Sequence, residues 1–187
     1  SAGDPFTSAA DLADEADRTT LVITVISGGG SALLAAPASA EVDGERIALT
    51  LGQLQQTTQA LLDSGATIHE VNAVRKHLSA IKGGRLAEAL APAHSISLIL
   101  SDVVGDDLDS IASGLTVPDG STYGDAIGHI DRYGIRDRLP GDVVRILEAG
   151  AAGRVSETPA PDNEAFRLVR NVLVGTNYRA LLAAADA

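Results

Sequence analysis

Leu21-Val22-Ile23-Thr24-Val25-Ile26-Ser27-Gly28-Gly29-Gly30-Ser31-Ala32-Leu33-Leu34 is the stretch whose reading decides the fold. Its first six residues form a compact, apolar, β-branched run, the pattern of a buried parallel strand. Three glycines, small residues and Leu33-Leu34 then read as a sharp strand-to-helix turn. Glycine admits φ > 0 and lets another group approach the main chain closely. N–H groups at the helix start that follows suit an anion, phosphate above all. The same residues also describe a turn that holds nothing. The common nucleotide signatures do not choose between the two: Leu33 stands where a dinucleotide fingerprint has its third glycine, and no Gly-Lys-Ser/Thr follows.

Residues 1–20 are polar and acidic, with Ser8 or Thr7 placed to cap a short helix before the strand. A helix is expected after Gly30 and before Pro37, then a loop or small hairpin over 38–49, because Asp43-Gly44 is a strong turn dipeptide. Leu51, Leu54, Thr58, Leu61 and Leu62 keep the spacing of one buried helical face over 50–64, with Gly65 as the stop. Thr67 and Glu70 are spaced as a capping box. The helix they open carries Val71, Val74, Leu78 and Ile81 on one core stripe.

Lys82-Gly83-Gly84-Arg85 makes a second glycine turn before a short helix over 86–90. Ser95-Ile96-Ser97-Leu98-Ile99-Leu100 reads as a second strand, and 111–121 as a loop. Helices follow at about 122–133 and 140–149, ended by Gly134 and Gly150. Arg170-Asn171-Val172-Leu173-Val174 is a third strand, Gly175-Thr176-Asn177 its turn, and Tyr178 opens a helix. Apolar strands alternating with helices define an α/β chain with a mostly parallel sheet covered on both faces.

The 187 residues suit one medium domain or most of a larger one. A hydrophobic fraction of 45% with only 3% aromatics gives an aliphatic, alanine-rich core. No apolar run reaches bilayer-crossing length, and the opening residues lack a basic-then-apolar leader pattern, so a cytoplasmic protein is expected. Cysteine is absent, which excludes disulfides and thiolate metal sites. The net charge of −11 repels nucleic acid and anionic membrane, so neither is an expected partner.

Against that acidic background the two lysines stand out, because both lie within 72–85 together with Arg75 and Arg85. Asn72, Arg75, Lys76 and Ser79 occupy a band of about 100° beside the core stripe. They form either a positive spot for phosphate or carboxylate, or a solvated face balanced by Glu70 and Glu88. Ligands of open α/β sheets bind beyond the carboxyl ends of the strands. Three such ends carry unusual chemistry: Ser27 to Ser31, Ser101 to Asp106, and Gly175 to Asn177. Asp102, directly after the second strand, is read as functional, since Mg²⁺ takes one or two carboxylates and a carboxylate can accept a hydroxyl proton. Asp106 and Asp109 either join it or cap the next helix, and Asp107 is read as a cap. The four histidines lack metal spacing, and His77 either meets substrate or is structural.

With these residues assembled, the chain resembles the glycerate kinases of the MOFRL-associated type, the glycerate 2-kinases. The resemblance is carried by Ile26-Ser-Gly-Gly-Gly-Ser-Ala-Leu-Leu34, by Ile68-His-Glu-Val-Asn-Ala-Val-Arg-Lys-His-Leu-Ser-Ala-Ile-Lys-Gly-Gly-Arg-Leu86, by Leu100-Ser-Asp-Val-Val-Gly-Asp-Asp-Leu-Asp109 and by Ile111-Ala-Ser-Gly-Leu-Thr-Val-Pro-Asp119. It implies a Rossmann-like three-layer α/β/α sandwich and ATP-dependent phosphorylation of D-glycerate to 2-phosphoglycerate with Mg²⁺. Carried over by position, Ser27, Gly28, Gly29, Gly30 and Ser31 would line the phosphate or substrate crevice, with Asn72, Lys76, Ser113 and Gly114 in the binding set. Arg75, Lys76 and Lys82 would hold anionic groups, Arg75 and Lys82 with a catalytic part. Asp102 and Asp106 would form the metal and catalytic region.

The family's upstream glycine-alanine-lysine segment has no match before Leu21, and no MOFRL domain is expected in the chain. It therefore reads as an internal fragment of the large N-terminal domain, incomplete for catalysis by itself. Leu115 stands where the family usually has proline. D-glycerate and a nucleotide are the expected partners, with a homodimer as the expected assembly. A nicotinamide-dependent hydroxypyruvate reductase is the alternative enzyme, opposed by the incomplete fingerprint. A non-catalytic small-anion-binding module is the alternative outside enzymes.

Overall fold

The computed structural model describes residues 16–27, 29, 34–101, 103 and 105–185. Strands β1 (Leu21–Ser27), β4 (His94–Ser101) and β5 (Val169–Thr176) form one parallel sheet in the order β1-β4-β5. A separate antiparallel hairpin joins β2 (Ser39–Val42) to β3 (Glu45–Ala48). Its turn takes φ of 53° at Asp43 and 80° at Gly44, the paired left-handed geometry that an Asp-Gly hairpin favours. The loop-or-hairpin expectation thus resolves as a hairpin.

Helix α1 spans Leu51–Asp63 and α2 Ile68–His77, each opened by a reciprocal capping box, Thr50 with Gln53 and Thr67 with Glu70. Gly65 does terminate α1: its N–H reaches Leu62 O and that of Ala66 reaches Leu61 O, the paired bonds of a Schellman turn. The buried face of α1 is rotated from the expected one. Thr57, Ala60 and Leu61 are buried, whereas Leu51 and Leu62 are about half exposed. Leu51 opens onto a cleft described below; nothing among the described residues covers Leu62.

The stripe Val71, Val74, Leu78 and Ile81 is buried as expected. The helix expected before Pro37 is not formed by 34–36, and 30–33 lie outside the described residues. The chain there is extended instead, because Ala36 O accepts from Ala80 N and Ala38 N donates to Leu78 O.

Short helix α3 (Arg85–Leu90) leads to β4, and α4 (Tyr123–Arg132) and α5 (Gly141–Ala151) lie between β4 and β5. Gly134 ends the α4 region as expected, but Gly150 does not stop α5. The Schellman pair comes from Gly153 and Arg154, donating to Gly150 O and Ala149 O. Gly150 has a packing role: a Cβ there would sit 2.2–2.4 Å from ring atoms of buried Tyr123. Gly150→Ala is expected to cost about 2 kcal/mol or more through forced overpacking. A lowered thermal midpoint, with no change for Gly128→Ala, where a Cβ meets nothing within 4 Å, checks this.

One core joins the hairpin to α1, α2, α4 and α5, through Val42, Ile47, Leu61, Val74, Ile130 and Ile146 among others. A second lies under the sheet, where Ile26 and Ile99 pack with Ile81, Ile111, Ala112 and Leu115. Ile81 belongs to the β1–β4 connection, and Ile111 and Leu115 belong to the β4–β5 connection. Both crossovers therefore cover the same face. The strand order requires this, since β1, β4 and β5 advance in one direction and parallel connections are right-handed. The chain is α/β with a parallel sheet; among the described residues the opposite face carries no second layer.

A hydroxyl chain ties the covered face together. Thr24 donates to Ser97 at 2.8 Å, Ser97 to Thr116 at 3.1 Å and Thr116 to Asn171 Oδ1 at 2.7 Å. Helix α6 (Asn177–Ala185) starts directly after β5, so Gly175 and Thr176 belong to the strand and not to a turn. The register slips between Ile99 and Leu100, which lets Gly175 lie against the Leu100 side chain, where a Cβ would approach within 2.7 Å.

Candidate active site

Parallel registers bring the three strand ends to one edge. Ser27 lies beside Leu100, and Ser101 beside Thr176. Gly28, Gly30, Ser31 and Asp102 fall outside the described residues. At Gly29 a Cβ would meet nothing within 4 Å among the described residues. Packing among the described residues therefore does not require glycine there.

The segment 72–85 is not a solvated face. Asn72, Lys76, Ser79 and Lys82 are buried, and Arg75 is largely so. A fixed turn holds Lys82. Ser79 Oγ accepts from the N–H groups of Ile81 and Lys82 at 3.3 Å. Gly83 and Gly84 follow with φ of 60° and 82°. Side chains are excluded at both positions: a Cβ on Gly83 would lie 3.0 Å from Asp119 Oδ2, and one on Gly84 would lie 2.7 Å from the Phe166 ring.

The N–H groups of these glycines donate to Ser113 O at 3.1 Å and Gly114 O at 2.7 Å, fastening the 111–119 loop to the lysine turn. Ala112, Ser113 and Gly114 are consecutively left-handed, with φ of 53°, 58° and 65°. Two adjacent non-glycine residues in that region store strain, which persists where the surroundings enforce it and gathers at functional sites. Ser113 Oγ also donates to Asn72 Oδ1 at 3.3 Å. Asn72, Ser113 and Gly114 thus form one assembly behind Lys82. Buried Leu115 packs under the sheet.

The chain's two lysines have opposite settings. Lys76 Nζ pairs with Asp109, and with Asp119 at 3.2 Å, so carboxylates of the chain compensate its charge. Burial alone would raise the Asp119 carboxyl. The N–H and hydroxyl of Ser121, with the Lys76 charge, outweigh burial and hold the group below the ordinary carboxylate range. Lys82 instead shares a cleft of about 340 Å³ with Arg75, floored by Ala36, Leu54 and Leu78 and walled by Gln55, Thr58 and Ser79. Burial, then the charge of Arg75, lowers the Lys82 ammonium to about 8. Burial also lowers Arg75. Two cations brought into one partly dry cleft repel, and a bound anion relieves that repulsion.

Among the aspartates, Asp107 acts as a cap: its carboxylate accepts from Asp109 N at 3.1 Å and Ser110 Oγ at 2.9 Å. Asp109 is committed to Lys76. Asp106 is half-buried with φ of 54°, five residues after the end of β4 at Ser101. Among the described residues, no three His, Asp or Glu side chains are arranged to hold a metal ion. His77 is structural: it is fully buried, Nδ1 donates to Ala73 O at 2.7 Å, and Nε2 lies 3.0 Å from Glu157.

Sequence reading missed Asp119 and the α1 side of the cleft. Asp119-Gly120-Ser121 is an Asx-turn tripeptide, a signal visible in the sequence. No spacing announces that Gln55 and Thr58 face Arg75, because this depends on how α1 packs against α2.

The model of a family described as a domain of unknown function, DUF4147, matches residues 6–148, and the chain belongs to this family. It is 42% identical to the glycerate kinase of Danio rerio over 171 residues, 91% of this chain and 32% of the relative. It is 41% identical to the glycerate 2-kinase of Pyrococcus horikoshii over 90% of this chain and 36% of the relative. The chain thus spans about a third of the length of these relatives. A relative in Agrobacterium vitis with the provisional name hydroxypyruvate reductase is 50% identical over 139 residues. Among solved structures, a Pyrococcus horikoshii protein superposes with a TM-score of 0.79 at 40% identity, covering 96% of this chain and 38% of its own. The Thermotoga maritima glycerate kinase gives a TM-score of 0.71 at 39% identity, covering 90% and 36%. No helix among the described residues is long and apolar enough to cross a membrane.

Proposed function

We propose that the chain is part of the large α/β domain of an ATP-dependent glycerate 2-kinase, and that it forms the anion-holding wall of the active site. The observation that carries the reading is the Arg75–Lys82 cleft, where two cations converge beside polar side chains of α1. Arg75 and Lys82 hold carboxylate or phosphate oxygens, and the Gly83-Gly84 turn keeps Lys82 in place. The space that the described residues leave at Gly29 would admit a phosphate to the strand edge. Asp102 and Asp106, which follow β4 in the sequence, are the groups assigned to Mg²⁺ and to the hydroxyl proton. One or two carboxylates suffice for Mg²⁺ when substrate phosphates complete its shell. Mg²⁺ with ATP supplies neutralisation of the charge that develops on the transferring phosphoryl group. The chain's own residues position the glycerate hydroxyl and compensate charge, which is most of what phosphoryl transfer asks of a protein.

The test pairs two assays: D-glycerate with ATP scored for ADP, and hydroxypyruvate with NADH scored for NADH loss. Glycerate-dependent ADP supports the kinase. NADH oxidation selects the reductase that the Agrobacterium relative's name suggests, and ligand binding without turnover selects an anion-binding module. In whichever length of polypeptide turns over glycerate, Asp102→Asn is expected to lower kcat at least about 100-fold with an unchanged thermal midpoint. Near-normal turnover would remove Asp102 from the mechanism.

A further inference from the structure

We infer that the connection between α5 and β5 is a strap that seats the Lys82 turn, and that Glu157 is its positioning residue. The inference rests on the anion-holding role proposed for Lys82, and it names what fixes the place of that lysine. Gly83 and Gly84 give the turn little stiffness of its own, because glycine adopts left- and right-handed backbone alike. Their N–H groups bond Ser113 O and Gly114 O, and the strap bears on both glycines. The methyl of buried Thr158 lies 3.1 Å from where a Cβ on Gly83 would stand, and the Phe166 ring 2.7 Å from one on Gly84. Between them, Pro159 O accepts from Asp119 N at 3.3 Å, so the strap also holds the residue whose carboxylate pairs with Lys76.

The strap is pinned at both ends. Asn163 Nδ2 donates to Glu88 Oε1 on α3 at 3.1 Å. At the other end, Glu157 Oε1 accepts from the N–H of Tyr123 at 2.8 Å, one of the donors that the first turn of α4 leaves without a helical partner. Glu157 Oε2 lies 3.0 Å from Nε2 of His77, the last residue of α2. His77 Nδ1 donates to Ala73 O, so the proton of the second contact sits on Nε2 or on the carboxyl. Tyr123 Oη donates to His77 O at 3.4 Å and closes the network. The Glu157 side chain is 43% exposed, whereas its neighbours Thr158 and Pro159 are buried. Glu157 therefore fills no core space; it fixes where the two buried residues press. A displacement of about 1 Å, from a change far from the chemistry, can cost a site about 100-fold.

The chain has two lysines, so NMR of isotope-labelled lysine Cε follows Lys82 separately. In the parent its amine is expected to titrate at about 8. Glu157→Ala should raise that midpoint by about one pH unit or more, as the ammonium leaves its burial and the charge of Arg75. Loss of a carboxylate charge by itself would lower a lysine, so the sign separates displacement from direct electrostatics. Glu157→Gln should titrate as the parent does, because its amide donates to His77 Nε2 while its carbonyl accepts from Tyr123 N. Thr158→Ser, which removes only the methyl against Gly83, should move Lys82 the same way by a smaller amount. Ile146→Ala, in the core of α5, lowers stability and should leave the Lys82 midpoint in place. Affinity for 2-phosphoglycerate should follow, with about a tenfold loss in Glu157→Ala and none in Glu157→Gln. Three results overturn the strap: a Lys82 midpoint unmoved or lowered by Glu157→Ala, an equal rise in Glu157→Gln, or an equal rise in Ile146→Ala. If Lys82 responds as expected while the parent does not bind 2-phosphoglycerate, the anion reading falls and the strap stands.

Discussion

Lys76→Met is expected to destabilise the fold by about 3–5 kcal/mol, the usual loss when one partner of a buried ion pair is removed. The methionine fills much of the lysine volume, so the effect is electrostatic. The Asp119 side chain is fully buried, and its Oδ2 has no hydrogen-bond partner among the described residues. Without the ammonium, that carboxylate keeps Ser121 and little else. For a domain of this size the thermal midpoint should fall by about 10 °C. Adding Asp119→Asn should recover part of the loss, because it removes the stranded charge. A midpoint within about 2 °C of the parent would show that Lys76 is not held as described.

Lys82→Met, six positions along, should have the opposite profile. Burial and Arg75 already lower the ammonium to about 8 from its ordinary 10.5, so the charged lysine opposes folding at neutral pH. Its removal should lower the thermal midpoint much less than Lys76→Met does. Binding of D-glycerate or 2-phosphoglycerate should instead weaken about 10- to 100-fold, the value of a charge-assisted hydrogen bond in a partly dry site. The pH dependence has a definite sign. Between about 8 and 10.5 the unfolded chain holds the proton that the folded chain has released, so the Lys82 contribution to stability rises with pH across that window. Below about 8 its destabilisation is fully present. An anion in the cleft favours the charged amine, so binding above pH 8 takes up a proton and weakens up to about tenfold per pH unit.

Local signals in this chain report local structure well. Thr67 and Glu70 announced α2, Asp43-Gly44 announced the hairpin, and Gly65 and Gly134 announced helix ends, because each acts within a few residues. Gly150 misled for the same reason. Its composition says terminator, while its purpose is to admit the ring of Tyr123, from 27 positions earlier in the chain. The basic segment was legible as a cluster, but its division was not. Whether Lys76 or Lys82 faces the cleft depends on Asp119, which lies 43 positions from Lys76 and reaches it only through the fold. The expected cover on both sheet faces followed from alternation of strands and helices. Alternation cannot reveal that every described crossover runs along one side.

The central claim is that Lys82 and Arg75 make the cleft an anion site. Calorimetric titration of the chain with 2-phosphoglycerate at pH 7 and pH 9.5, beside Lys82→Met, tests it most directly. The account predicts saturable binding at pH 7, at least tenfold weaker binding at pH 9.5, and a Lys82→Met affinity that is weak and nearly indifferent to pH. Equal affinities for the parent and Lys82→Met at pH 7 would contradict it.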